Sequence, residues 1–106
     1  MLPHNTSIAL TEDSALSVLK EIEYMLISLK NIARHYYDNA DDPKDVDPIA
    51  YAIETTRFID ENDIVYKLAN MREVISDAFD DERGDDDMDD IERAMEHLVF
   101  WEKPGD

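Results

Sequence analysis

The chain has 106 residues, 43% of them hydrophobic and 35% charged, with Lys+Arg 10 against Asp+Glu 27 and a formal charge of -17. That length is one domain with a core of its own, and so negative a charge argues against direct binding to nucleic acid or an anionic membrane, which need a cationic patch to displace counterions. Cys 0 excludes a disulfide framework, a thiol nucleophile and a thiolate metal site and suits a reducing compartment, while Gly 2 and Pro 4 are too few turn formers for an all-β chain.

The first ten residues, MLPHNTSIAL, hold no basic region leading into an apolar run of signal-peptide length. Nothing later approaches the roughly 20 apolar residues of a membrane span. The expectation is a soluble, cytoplasmic protein whose residues 1–11 form a loose tail.

From Ala15 the apolar residues recur as Ala15, Val18, Leu19, Ile22, Met25, Leu26, Leu29, Ile32, Ala33 and Tyr36, the i, i+3, i+4, i+7 rule of one helix face. With Thr11 or Asp13 as cap and the Asp- and Pro-rich DNADDPKDVDP as its end, this predicts helix 12–37. Asp47 followed by Pro48 is a helix start, and Ile49, Ala52, Ile53, Thr56 and Ile59 line one face of helix 48–60. The run DEND, Asp60 to Asp63, interrupts the pattern before Ile64, Leu68, Met71, Ile75, Ala78 and Phe79 resume it over 63–79, so one long helix and two joined by a kink both fit. Met88, Ile91, Met95 and Leu98, with Trp101 trailing, predict a last helix over 86–102, closed by KPGD. No stretch alternates with period two. The fold expected is all-α, a single domain built as a small antiparallel bundle of three to four amphipathic helices.

The charge is unevenly placed. Asp77 to Glu92 carries net -9, Asp38 to Asp47 net -4 and Asp60 to Asp63 net -3, leaving the rest of the chain nearly neutral. Acids near helix N-termini are favoured by the helix dipole, which accounts for a few per helix but not for ten around Gly84. A solvated, solubilising loop is the plain reading. The sharper one places Asp85, Asp89, Glu92 and Glu96 at i, i+4, i+7 and i+11 on one face of the last helix. That acidic stripe, Asp85, Asp86, Asp89, Asp90, Glu92 and Glu96, would mimic a phosphate backbone and bind a basic protein partner. Asp85, Asp87, Asp89 and Glu96 match part of a calcium loop, but Asp90 stands where that loop needs glycine, so no metal is expected.

No catalytic set is legible. His4, His35 and His97 form no metal-ligand spacing, Gly84 and Gly105 are isolated, and Arg93 with His97 reads as a surface charge contact. The expectation is no enzyme and no cofactor. Two functions remain: an acidic helical protein that neutralises a basic target, as inhibitors, immunity proteins, antitoxins and nucleic-acid mimics do, or a self-associating helical adaptor. The second would use an apolar face of helix 1 outside the main stripe, Leu16, Tyr24 and Ile27, with Tyr37 and Trp101 as further anchors and a homo-oligomer as its product.

Overall fold

The computed structural model describes residues 5–38 and 42–102. The chain is mostly helical, with no strand among the described residues. Among the described residues four α-helices follow one another: α1, Glu12–Ala33; α2, Pro48–Glu61; α3, Ile64–Ser76; and α4, Asp90–Met95. Among the described residues no helix is long and apolar enough to cross a membrane. Where one domain was expected, the described residues group into two compact units, residues 11–74 and residues 5–10 with 75–102.

In the unit of residues 11–74, α1 starts because the Thr11 side chain accepts from the Ser14 N–H, with Glu12 and Asp13 in the first turn, where their charge complements the dipole. It ends in a π-helical turn, Arg34–Asp38. Asp47 caps α2 through the Ala50 N–H, with Pro48 in the first turn. The run DEND breaks the chain into two helices. Asn62 ends α2, its side-chain amide donating to the Phe58 carbonyl at 2.9 Å. Asp63 takes φ 49, the left-handed conformation that Asp and Asn tolerate better than most residues, and α3 begins beyond it.

α1 and α2 run antiparallel. The Tyr24 hydroxyl donates to Asn62 Oδ1 at 2.7 Å near one end, Tyr24 and Phe58 rings lie 5.8 Å apart, and at the other end Tyr51 meets Tyr36 and Tyr37 at 6.3 and 5.1 Å. α3 lies along one flank of α1. Lys67 reaches Glu21 at 3.6 Å and stands 4.9 Å over the Tyr24 ring, and a cavity of about 140 Å³ lies among Ser17, Val18, Glu21, Lys67, Asn70, Met71 and Val74. Among the described residues the buried apolar side chains are Val18, Met25 and Ile64.

Three expectations change here. The face of α2 assigned to the core is the outward one, with Ile49 and Ile53 exposed, while Ala50, Tyr51, Glu54, Thr55 and Phe58 are half-buried. The last helix spans 90–95 in place of 86–102. Its start is set by a capping box, Asp89 accepting from the Glu92 N–H and Glu92 from the Asp89 N–H, which satisfies two backbone donors at once. Its end falls before Val99, Phe100 and Trp101, residues of poorer helix propensity. The loose tail also shortens. Residues 1–4, His4 among them, lie outside the described residues, as does the closing 103–106, but Asn5 is buried.

Candidate interaction surface

The acidic run folds inward chiefly upon Arg93. Arg93 donates from Nε and Nη2 to the two oxygens of Asp86 at 2.8 and 2.7 Å, from Nη1 to Asp90 Oδ1 at 2.7 Å and from Nη2 to the Met88 carbonyl at 3.1 Å. The loop closes tightly around it. Gly84 donates to the Met88 carbonyl at 2.9 Å, and a Cβ on Gly84 would stand 3.0 Å from Arg93 Nη2, so a larger residue there would make the guanidinium give by a few tenths of an ångström. Asp87, at φ 61, turns the chain. Arg83 donates to the Asp87 carbonyl and lies 3.7 Å from Glu92.

Asp90, 4% exposed, is held from a second side. Asn5 Nδ2 donates to Asp90 Oδ2 at 2.8 Å and to the Asp80 carbonyl at 3.0 Å, and Asn5 Oδ1 accepts from the Asp80 N–H at 2.8 Å. A buried carboxylate is tolerable only when its lone pairs are satisfied in this way.

The predicted row of carboxylates does not form as drawn. Asp85 and Asp86 lie in the turn before α4 and not on it, Asp86 and Asp90 are engaged by Arg93, Asp89 is the N-cap, Glu92 completes the capping box, and Glu96 ends the helix with His97 Nε2 at 3.8 Å. Exposed acids remain at Asp81, Glu82, Asp85 and Asp87. Among the described residues no group of three His, Cys, Asp or Glu side chains is arranged to hold a metal ion.

Both oxygens of Asp86 receive the guanidinium, which holds its carboxyl at about 2, below the ordinary 3.8, with the Met88 N–H adding to the effect. Arg93 is correspondingly raised. A carboxyl depressed on folding adds stability that is fully present above its ordinary value and is lost as pH falls through about 2. We therefore expect the Asp86 carboxyl carbon, followed by NMR, to titrate near 2, and near its ordinary value in Arg93→Ala. An ordinary midpoint in the unaltered chain would mean the pair does not form in solution.

The apolar candidates separate differently. Tyr24 is engaged by Asn62, Phe58 and Lys67, and Tyr37 by Tyr51, so both serve packing within residues 11–74. Leu16 and Ile27 are partly exposed on α1, and Trp101 is 84% exposed in the extended stretch after α4. The larger uncovered surface lies inside the predicted core stripe itself. Val18 and Met25 turn inward, whereas Leu19, Ile22, Leu26 and Leu29, roughly a quarter turn round the helix, are exposed, Leu19 at 57% and Leu26 at 51%. This is the flank opposite α3. The side is fixed by two grooves along the hairpin: Asn31, Ile32, His35, Tyr36 and Glu54 line one, and Lys30, Ala33, Arg34, Tyr37, Asp38 and Tyr51 line the other, at the end of the exposed row. On α2 the same side carries Ala52 and Ile59, also exposed.

Sequence reasoning had these residues and misassigned them, because helical period marks an apolar sector without saying how much of it the chain covers. Compared with known protein families, curated proteins and solved structures, the chain matches none.

Proposed function

We propose that the chain is a non-enzymatic helical interaction protein whose contact surface is the apolar flank of α1, formed by Leu19, Ile22, Leu26 and Leu29, with Ala52 and Ile59 of α2 beside it. The observation that carries this reading is the spacing of the exposed residues and of the half-buried alanines that flank them. Ala15, Leu19, Ile22, Leu26, Leu29 and Ala33 follow one another at intervals of four and three, the a and d positions of a heptad, which is the pattern of a helix that packs lengthwise against another helix. Each large side chain in the row is about half exposed, so covering it gains roughly 1 kcal/mol, and the four together of order 4 kcal/mol. A partner on this flank would extend the α1–α2 hairpin into an antiparallel bundle, with α3 on the opposite flank.

A basic protein held by the acidic run is the second reading, favoured by the exposed charges of Asp81, Glu82, Asp85 and Asp87. Salt separates the two, since charge pairing at a rim weakens with ionic strength and apolar packing does not. The test is retention of protein from host lysate on the tagged chain and on Leu26→Asp across a salt gradient. We expect retention that survives high salt and is lost in Leu26→Asp. Elution at moderate salt, equal for both, would transfer the function to the acidic run.

A further inference from the structure

We infer that the occupant of this flank is a second copy of the same chain, lying antiparallel on α1 about a two-fold axis beside residue 24, an inference that rests on the reading above. The row is a palindrome. Read from either end it runs small, large, large, large, large, small, at intervals of four, three, four, three and four, and its midpoint is residue 24. A two-fold axis there sets Leu19 opposite Leu29 of the second copy, Ile22 opposite Leu26, and Ala15 opposite Ala33. This is the self-complementarity an isologous pair requires. A partner of different sequence would need no such symmetry.

Charge agrees with the same register. On the outer edge of α1, along the row, stand Glu12, Glu23, Lys30 and Arg34, all exposed. With the axis beside residue 24, Arg34 of one copy falls about 3 Å along the helix from Glu12 of the other, and Lys30 about 7.5 Å from Glu23. The Arg34–Glu12 pairing occurs twice by symmetry, while the two copies of Glu23 stand about 3 Å apart along the axis with Lys30 as the next cation on either side. A parallel pair would instead bring each of these residues beside its own like.

The row from Ala15 to Ala33 is about 27 Å long. α2 runs beside its half from residue 24 onward, where Tyr24 meets Phe58 and Asn62, and there the exposed Ala52 and Ile59 widen the strip on the same side.

The test is the mass of the full chain in solution, joined to cross-linking of single-cysteine variants, which the absence of native cysteine makes unambiguous. We expect the unaltered chain at twice 12.3 kDa by light scattering at micromolar concentration. Leu26→Asp should raise the dissociation constant at least about a hundredfold and keep its helical circular dichroism. Because that variant can fail to fold, Glu23→Cys and Glu12→Cys supply an independent answer with a short bis-maleimide: residue 23 lies beside the axis and links, whereas the two copies of residue 12 stand about 36 Å apart and do not. Equal linking at residue 12, or no linking at residue 23, overturns the antiparallel pair. If the unaltered chain stays at 12.3 kDa yet holds a lysate protein in the salt-resistant, Leu26-dependent way, the second copy falls and the contact surface stands. If it stays monomeric and holds nothing, both fall.

Discussion

Replacing Asn5 by alanine is expected to open the unit of residues 5–10 and 75–102, lowering its local stability by roughly 2 to 4 kcal/mol. The residue is 5% exposed and its side chain makes three hydrogen bonds to two acidic residues far along the chain, two to the backbone of Asp80 and one to the carboxylate of Asp90. Truncation removes all three, and Asp90 keeps its charge in a place screened from water with one fewer donor. Asn5→Asp should do more harm, since it replaces the donor to Asp90 by a further negative charge. Hydrogen exchange at the Asp80, Glu92 and Arg93 amides reads the effect directly, because each is bonded within this unit. Protection unchanged in Asn5→Ala, as it should be in the exposed control Ser7→Ala, would show that Arg93 and the capping box hold the unit by themselves.

The second large effect contrasts two neighbours on α1. Met25 is one of three buried apolar side chains among the described residues, so Met25→Ala is expected to cost roughly 2 to 4 kcal/mol, the transfer term and the cavity it leaves together. Leu26→Ala, one residue on and facing the uncovered flank, should leave unfolding in urea almost unchanged at a concentration low enough to keep the chain monomeric. At high concentration Leu26→Ala should lose the added stability that association confers on the unaltered chain, since whatever binds the folded state raises its apparent stability by mass action. Equal losses for the two variants in dilute solution would mean that both flanks of α1 are covered within one chain.

How much of this was legible in the sequence depends on the range of the interaction. Local signals carried much of the outcome: Thr11, one of two candidate caps, and Asp47 cap the helices they precede, Pro48 sits in the first turn of α2, and Asp60 to Asp63, where one helix and two both fitted, break the chain in two. The start of α4 was written in the sequence as well, since Asp89 and Glu92 have the spacing of a capping box, but the density of acids around Gly84 drew the helix four residues too early. That density also concealed its own explanation. Arg93 follows Asp90 by three residues and Asp86 by seven, and the structure shows these two aspartates folding around the arginine, with Asp81, Glu82, Asp85 and Asp87 remaining outward. What no local pattern carries is Asn5, whose partners lie 75 and 85 residues away. The orientation of α2 was illegible for another reason. Ile49 and Ile53 make the more apolar stripe, yet the aromatic rings of Tyr51 and Phe58 face α1, and ring contacts with Tyr24, Tyr36 and Tyr37 decided the rotation.

The bond from Asn5 to the far end of the chain also sets an order of events during synthesis. Residues 11–74 are contiguous, so their unit can assemble as soon as α3 has left the ribosome, from contacts that are mostly near in sequence and therefore quick to form. The other unit is split between the two ends and interrupted by the first. Its opening residues must wait, with nothing to bind, until Asp80, Asp90 and Arg93 have been made. As the acidic segment then emerges, its mutual repulsion opposes compaction until Arg93, the last of these residues to be made, is there to gather it.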